Sequence, residues 1–268
     1  MKTWFITGTS RGFGRQWAEA ALDRGDRVAA TARDLSSIAP LVAQHGERVL
    51  PLQLDVTDRA ACYAAVATAH QEFGSIDVVI NNAGYGHFGM VEELDEAEAR
   101  RQIDTNLFGP LWITQATLPF LREQHHGHIV QVSSVAGVFS LPDTGIYTAS
   151  KWALEGLTQS LAMEVAAFGI HVTLVEPAGY DTDWAGSSSA RSDKLAAYDE
   201  FRANPPIAPS AKRADPTATR SAILQLVDAE KPPLRLFLGA APLPLMQREY
   251  AARLAKWEQW NEVSAAAS

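Results

Sequence analysis

The chain has 268 residues, 47% of them hydrophobic, and carries a formal net charge of −8 at pH 7. This length fits one domain with a sizeable core, and the acidic balance excludes the basic surface that binds nucleic acid or an anionic membrane. The single cysteine, Cys62, excludes an internal disulfide and fits a reducing compartment. The first strand pattern begins at Thr3 and no apolar run could span a bilayer. We therefore expect a cytoplasmic protein without a signal peptide or membrane segment.

Short aliphatic and β-branched runs alternate with longer helical patterns along the chain. We expect strands near residues 3–7, 27–32, 49–54, 76–81, 128–133, 171–176 and 234–239. We expect helices near residues 13–24, 59–73, 96–123, 147–168, 216–229 and 243–260. The alternation predicts an α/β fold, in which a parallel sheet is covered by helices on both faces.

Two features refine this arrangement. Pro51 lies inside the third predicted strand, where its missing N–H suits an edge position. The third strand is the edge strand of a doubly wound sheet ordered 3-2-1-4-5-6. The long irregular stretch 178–215 contains Gly186, the serines at 187–189 and the prolines at 205, 206 and 209. Such a stretch is typical of a lid or a disordered loop, and we expect a substrate lid at about 180–214.

A glycine-rich turn follows the first predicted strand and opens the first helix, with Gly8, Gly12 and Gly14 in the run Thr7 to Gly14. Glycines let the backbone approach a pyrophosphate closely, and the helix N-terminus supplies free N–H groups. The spacing is G-x-x-x-G-x-G instead of the usual G-x-G-x-x-G, so the segment alone could also be a plain glycine turn.

The end of the second predicted strand indicates which dinucleotide binds. A ribose-binding acid is normally expected there, but the chain has Ala32 followed by Arg33. A guanidinium binds a 2′-phosphate, and Arg11 in the glycine turn adds a second cation. Either arginine could be a solvated surface charge, but both positions together favour NADP over NAD.

Tyr147 and Lys151 lie four residues apart in a predicted helix, thirteen residues after Ser134. Side chains at this spacing share one helix face. Because a nearby ammonium favours phenolate, we expect the pKa of Tyr147 to lie below its usual value of about 10, which allows proton exchange with an alcohol or ketone near neutral pH. The alternative for the pair alone is an amphipathic helix with a surface lysine.

With these residues the chain resembles the short-chain dehydrogenase/reductase family over nearly its whole length. It also carries Asn81-Asn82-Ala83-Gly84 after the fourth predicted strand and Asn106 in the long helix. The resemblance implies a single doubly wound Rossmann domain over residues 1–268, with a seven-stranded parallel sheet and helices on both faces. Thr31-Ala32-Arg33 and the stretch 176–184 resemble the hydroxysteroid and ketone reductase-like branch most closely.

The resemblance also implies the site. The catalytic tetrad would be Asn106, Ser134, Tyr147 and Lys151. The residues expected to bind NADP(H) are Gly8, Ser10, Arg11, Gly12, Phe13, Gly14, Arg33, Asp55, Val56, Asn82, Ala83, Gly84, Tyr147, Lys151, Pro177, Gly179 and Thr182. One departure is visible: the family's Pro-Gly after the sixth strand reads Pro177-Ala178-Gly179 here.

Ser134 is expected to hydrogen-bond a substrate carbonyl, while Tyr147 donates a proton and NADPH delivers hydride. Lys151 would favour the phenolate and bind the nicotinamide ribose. Pro110 cannot donate to the carbonyl of Asn106, so a helix kink could free that carbonyl for a relay water, or could be a kink and no more. The same fold also fits two other functions: a non-catalytic NADP-binding regulator, and an epimerase or dehydratase.

The substrate is expected to be a mainly apolar carbonyl or alcohol, because aromatic and aliphatic residues occur in the segments that should border it. The expected lining residues are His87, Phe88, Phe139 and Trp184. Cations at 191, 194 and 202 leave an anionic tail open. His125, His126 and His128 have no carboxylate or cysteine at ligand spacing, so we expect no metal site. The resemblance implies a homodimer or homotetramer built on the helices near 96–123 and 147–168.

Overall fold

The computed structural model describes residues 1–186, 188–205 and 213–268. The strands in these residues are β1 Thr3–Ile6, β2 Arg27–Ala32, β3 Val49–Gln53, β4 Val78–Asn81, β5 His87–Phe88, β6 Gly127–Val132, β7 Ile170–Pro177, β8 Ala190–Arg191 and β9 Arg235–Leu238. Seven of them form one parallel sheet in the order β3-β2-β1-β4-β6-β7-β9. The predicted seven-stranded sheet is confirmed, and β3, which contains Pro51, lies at its edge.

The helices of the described residues cover both faces of this sheet. They are α1 Gly12–Asp23, α2 Ala39–His45, α3 Arg59–Phe73, α4 Glu96–Ile103, α5 Gly109–Gln124, α6 Gly145–Val165, α7 Asp199–Ala203, α8 Arg220–Asp228, α9 Pro242–Gln259 and α10 Asn261–Ala265. One buried cluster joins the sheet to α1, α2 and α8 through residues such as Trp17, Leu41 and Ile223. A second joins the opposite face to α3, α5 and α6 through residues such as Val66, Ile113 and Leu161. The apolar strands are therefore buried on both sides, as a parallel sheet requires.

The predicted helix over 96–123 is interrupted in the structure. Helix α4 ends at Ile103, a π-helical turn covers Asp104–Phe108, and α5 begins at Gly109. The N–H of Gly109 donates to the carbonyl of Asp104, five residues earlier. Pro110 has no N–H to continue the regular ladder, which accounts for the break at this point. The disturbance expected between Asn106 and Pro110 is thus present as a π turn that places Asn106 inside the fold.

Two other regions differ from the sequence prediction. The seven-residue helix α2 was missed, because it is too short to show a clear period. Its proline lies in the first turn, where the N–H is unpaired in any helix. The stretch 178–215 contains β8 and α7 among its described residues, and β8 pairs with β5 in a two-stranded parallel sheet. The predicted lid at about 180–214 includes Ser187, Pro206 and Pro209, which lie outside the described residues. No helix in the described ranges is long and apolar enough to cross a bilayer.

Candidate active site

The carboxyl ends of the central strands open into a cavity of about 930 Å³. Connections from neighbouring strands run to opposite faces where the strand order reverses, between β1 and β4, and this leaves a crevice at that edge. Most of the predicted site residues meet in this cavity. Those that line it are Gly8, Ser10, Arg11, Gly12, Phe13, Arg33, Asp55, Val56, Asn82, Ala83, Gly84, Ser134, Tyr147, Lys151, Pro177, Gly179, Thr182 and Trp184.

The glycine turn forms the floor at one end. Gly8 and Gly12 have φ of 70° and 60°, a region that other residues rarely adopt. A Cβ on Gly14 would lie 2.4 Å from the carbonyl oxygen of Gly8, so only glycine lets the helix pack so closely on the turn. The side-chain amide of Asn82 donates to the carbonyls of Thr7 (2.9 Å) and Gly8 (3.0 Å), which ties the turn to the end of β4. The side chain of Arg11, the residue at the N-cap of α1, makes no capping hydrogen bond in the described part of the chain. The first N–H groups of α1 can therefore bind a phosphate.

The end of β2 carries the residues predicted to select the dinucleotide. Ala32 and the exposed Arg33 both line the cavity. Arg11 lines it as well, but its guanidinium forms an ion pair with Asp183 from the far side of the cavity. The oxygen of Asp55 accepts hydrogen bonds from the backbone N–H and hydroxyl of Thr57, which holds this turn beside the cavity. At the end of β2 the cavity wall thus carries the cation of Arg33, and among the described lining residues this strand end contributes no acid.

Ser134, Tyr147 and Lys151 converge on one wall. Ser134 follows β6 and caps a short 3₁₀ turn by accepting from the N–H of Ala136 at 3.1 Å. Tyr147 and Lys151 lie on one face of α6, and Lys151 Nζ is 5.9 Å from the centroid of the Tyr147 ring. Lys151 Nζ donates to the carbonyl of Val132, the last residue of β6, at 2.8 Å. These bonds fix the lysine and the serine to the same strand end.

The expected pKa of Tyr147 was wrong in direction. Burial raises the pKa of the phenol to about 12, although a hydrogen bond from Ser134 opposes the shift. Burial also lowers the pKa of Lys151 to about 8, against the charge of Glu155, which raises it. The prediction assumed a fixed ammonium, but taking a cation out of water is costly, so Lys151 is itself close to losing its proton. The phenol is therefore protonated at neutral pH.

Asn106 does not line the cavity. Its side chain is fully buried and hydrogen-bonds to the loop that follows β4 and to α6. Oδ1 accepts from the N–H of Tyr85 at 3.2 Å, and Nδ2 donates to the carbonyl of Tyr85 at 3.0 Å and to Ser150 Oγ at 3.1 Å. Ser150 Oγ donates in turn to the carbonyl of Tyr147 at 2.6 Å. Asn106 therefore links the loop after β4 to the turn of α6 that carries the tyrosine.

The predicted substrate residues are only partly brought together. Trp184 lines the cavity and lies against Tyr147, with ring centroids 4.9 Å apart. Phe88 also packs edge-on against the indole, with ring centroids 5.3 Å apart, but is not among the lining residues. His87 is buried in the small sheet, where Nε2 is 2.8 Å from Ser192 Oγ. Phe139 is half-buried outside the lining residues.

Several lining residues were not recognised from the sequence. Arg101, Thr144, Tyr180 and Arg213 all contribute to the cavity wall. The ring of Tyr180 contacts that of Phe13 edge-on, with centroids 5.0 Å apart, and so joins the loop after β7 to the glycine turn after β1. The arginines gave no signal, because an isolated cation in a helix or loop has the pattern of a solvated surface residue. The departure at Ala178 leaves the strand pairing intact, since its N–H donates to the carbonyl of Leu238 at 3.1 Å.

The histidines near β6 have separate environments. His126 is exposed and hydrogen-bonds to Asp77 at 3.1 Å, whereas His128 is buried and lies 2.9 Å from Thr173 Oγ1. Within the described ranges, no group of three His, Cys, Asp or Glu side chains is placed to hold a metal ion.

A parallel sheet with an uncapped helix at a glycine turn, beside a half-buried serine and a buried Tyr-Lys pair, defines a nucleotide-binding oxidoreductase fold. Residues 2–193 match the short chain dehydrogenase family, and the chain belongs to that family. It is 41% identical over 272 residues to Oxidoreductase BOA17 of Botryotinia fuckeliana, covering 100% of this chain and 99% of that protein.

Two solved structures place the fold. A short-chain dehydrogenase from Streptomyces avermitilis superposes with a TM-score of 0.92 at 36% identity, covering 100% of both chains. An alcohol dehydrogenase from the archaeon Thermococcus sibiricus, complexed with 5-hydroxy-NADP, superposes with a TM-score of 0.76 at 26% identity, covering 90% of this chain and 97% of that one. Members of this family use a nicotinamide cofactor, and the glycine turn, the uncapped α1 and the cavity fit such a dinucleotide.

Proposed function

We propose that this protein is an NADP(H)-dependent oxidoreductase that transfers hydride between NADPH and a ketone or aldehyde, and runs in reverse as an alcohol dehydrogenase. The single observation that carries this proposal is the position of Tyr147. Its buried phenol lies on the wall of the same cavity that the glycine turn lines, beside Ser134 and Lys151. Residues 1–268 form one cofactor-binding domain in this proposal, with a substrate lid at about 180–214.

The residues around the glycine turn hold the dinucleotide. The N–H groups at Gly12 and Phe13 would bind its pyrophosphate, and Arg33 would bind the 2′-phosphate. Asp55 and Val56 would hold the adenine, and Asn82, Ala83 and Gly84 the adenosine. Pro177, Gly179 and Thr182 would hold the nicotinamide. When bound, NADPH supplies the hydride, and the protein supplies position and electrostatic stabilisation.

The catalytic wall manages the proton. The Ser134 hydroxyl donates to the substrate oxygen, where negative charge develops. The Tyr147 phenol is protonated at neutral pH because burial raises its pKa to about 12, and this protonation state suits donation to a carbonyl. Lys151 stabilises the phenolate that remains. Asn106 holds the loop after β4 against α6, and a water at the π turn carries protons onward to solvent.

The substrate is a mainly apolar small molecule in this proposal. Trp184 covers Tyr147 and, with Leu141 and Tyr85, gives the substrate end of the cavity an aromatic and aliphatic wall. Such a wall recognises a ligand by shape and apolar contact, with few charged groups. His87, Phe88 and Phe139 act behind this wall, because they do not themselves line the cavity.

The test is a panel of ketones and aldehydes, with NADPH consumption followed by absorbance. We expect turnover with apolar members, and a loss of about 10²- to 10⁴-fold in kcat for Tyr147→Phe, with NADPH affinity nearly unchanged. Lys151→Ala should lower both kcat and NADPH affinity. Tyr147→Phe that keeps more than about a tenth of the wild-type kcat would contradict the role of the phenol. Tight NADPH binding with no turnover across the panel would favour a regulator instead.

We also propose a homodimer or homotetramer built on α5 and α6. Apolar side chains are exposed on α6, including Met163 at 72% and Trp152 at 36%. Light scattering at micromolar concentration should show an oligomer, and Met163→Lys should shift it towards monomer because a buried lysine at such an interface is unpaired. A wild-type monomer under the same conditions would refute this assembly.

A further inference from the structure

Two buried glutamates lie behind the catalytic wall and take no part in the chemistry described above. Glu155 on α6 is 5% exposed and Glu176 on β7 is fully buried. Both face the guanidinium of Arg235 on β9, whose Nε is 2.9 Å from Glu155 Oε2 and 3.5 Å from Glu176 Oε1. The partly exposed guanidinium of Arg235 is therefore shared by two carboxyl groups.

This pair cannot be fully ionised at low cost. Glu155 Oε1 and both oxygens of Glu176 have no hydrogen-bond partner among the described residues. Burial raises the pKa of each carboxyl group, and the charge of Glu155 raises that of Glu176 further. Like charges that share one guanidinium disfavour double ionisation, and with a pKa raised to about 8, Glu176 is the carboxyl group that retains its proton at neutral pH. The closer contact with Arg235 favours Glu155 as the group that carries the charge.

The pair is adjacent to every segment that carries the catalytic wall. Glu155 lies one helical turn after Lys151, and Glu176 directly precedes Pro177. Ser133, the neighbour of Ser134, and Glu155 both lie beside Gly137. A Cβ added to this glycine would lie 2.5 Å from Ser133 Oγ and 3.1 Å from Glu155 Oε1. Tyr147, Lys151 and Glu155 thus follow one another at intervals of four residues along one face of α6.

We propose that Glu155 is a positioning residue that holds Lys151 in its ammonium form, and that Glu176 keeps Glu155 ionised by carrying the pair's proton. The charged groups that face the pair are Lys151 on the same helix and Arg235 on β9. Glu155 acts on Lys151 through its charge across one helical turn, and through Lys151 on Tyr147. The inference rests on the proposed function only in its consequence for turnover.

The direct test is a titration of Lys151 by NMR with ¹³C-labelled lysine, assigned with Lys151→Met. Because the pKa of Lys151 lies at about 8, the loss of the Glu155 charge should visibly reduce the ammonium fraction at neutral pH. We expect Glu155→Gln to lower the pKa of Lys151 by about one unit, and Glu155→Asp, which keeps the charge, to restore most of it. In Glu176→Gln the amide can donate to Glu155, so the pKa of Lys151 should stay the same or rise.

An unchanged Lys151 titration in Glu155→Gln would overturn the proposal. An equal fall in Glu155→Gln and Glu176→Gln would also overturn it, because a merely structural pair would give that result. If Glu155→Gln does not fold, the double substitution Glu155→Gln, Arg235→Gln removes both charges together. It should still lower the pKa of Lys151.

Turnover gives the second readout. In alcohol oxidation, a less cationic Lys151 stabilises the Tyr147 phenolate less, so the rising limb of kcat/KM against pH should move upward in Glu155→Gln and not in Glu176→Gln. The rising limb of kcat/KM could lie at the same pH in wild type and Glu155→Gln while the Lys151 titration shifts. That result would show that the charge of the pair does not affect Tyr147. Wild-type protein without turnover would sink the proposed function alone, because the Lys151 titration needs no substrate.

Discussion

Two parts of the cavity wall, the glycine turn and the segment that carries Asp183 and Trp184, are built in different ways. The wall at the glycine turn is held by hydrogen bonds to backbone carbonyls, as between Asn82 and Gly8 at 3.0 Å. At Asp183 and Trp184, the opposite wall is held by side chains. Asp183 pairs with Arg11, and Trp184 lies between Tyr147 and the ring of Phe88.

This difference indicates what each wall can tolerate. Backbone-bonded turns have one allowed geometry, so a single added atom disturbs them. Aromatic and ionic contacts between side chains can break and reform as the cavity fills and empties. The first wall therefore suits a ligand of constant shape, and the second suits exchange of substrates.

The largest effect should come from Gly14→Ala. The new Cβ would lie 2.4 Å from the carbonyl oxygen of Gly8, so either the turn or α1 must shift. We expect NADPH affinity to fall by at least about a hundredfold and the free energy of unfolding by about 1–3 kcal/mol. Fluorescence titration and chemical denaturation measure these quantities.

Gly156→Ala is the matched control for that change. Gly156 lies in the exposed part of α6, and an added Cβ would meet nothing within 4 Å. Alanine should raise the free energy of unfolding by about 0.5–1 kcal/mol without affecting NADPH affinity. If Gly14→Ala behaved like this control, the glycine-turn wall would not be rigid.

The next effect concerns cofactor choice on the same wall. In the double substitution Ala32→Asp, Arg33→Ser, an acid replaces the cation where the 2′-phosphate is expected. We expect kcat/KM to favour NADPH in the wild type and NADH in the variant, each by about ten- to a hundredfold. Equal kcat/KM values for the two cofactors in the wild type would contradict the assignment. Because Ala32 is buried, unfolding should be measured alongside.

A smaller effect is expected on the side-chain wall. Trp184→Ala removes the indole from Tyr147, and KM for an apolar ketone should rise about tenfold because an aromatic contact is lost. Gly86→Ala should act in the same direction, since its Cβ would lie 2.5 Å from the indole Cζ2. NADPH affinity should stay constant in both variants. A loss of NADPH affinity as large as that of Gly14→Ala would show that the two walls are not separate.

The smallest effect lies at the amino end of the sheet, away from both walls. Burial lowers the pKa of His128 to about 3 from an ordinary value near 6.5. Its contribution to stability is fully present above pH 6.5 and is lost progressively as the pH falls towards 3. Between pH 7 and 5.5 we expect a loss of about 1 kcal/mol, which His128→Gln should remove. If the free energy of unfolding changed equally with pH in wild type and His128→Gln, the assignment would be contradicted. NADPH affinity serves as the internal control.

The sequence predicted the glycine-turn wall well and the side-chain wall poorly. Gly8, Gly12 and Ser134 occur in short local patterns. Gly8 and Ser134 each lie two residues after a strand ends, and Gly12 opens the helix that follows the first strand. Strand ends meet at one edge of a parallel sheet, so order along the chain was enough to bring these residues together. Trp184 was expected at the substrate, but its contacts join it to residues far apart in the chain, and no local pattern encodes such pairs. His87 and Phe139 were predicted to line the cavity and lie outside it, because their positions also depend on contacts that no local pattern encodes.

The sequence by itself determined the parallel α/β order and the family, and it predicted the residues that are proposed to carry the chemistry. These follow from hydrophobic period and motif spacing, which are properties of neighbouring residues. Only the tertiary structure decided the electrostatics. The pKa of Tyr147 rises and that of Lys151 falls because folding buries both side chains, and Glu155 meets Glu176 and Arg235 because α6, β7 and β9 pack together. Desolvation depends on everything that surrounds a group in space, and the linear order of residues does not contain it.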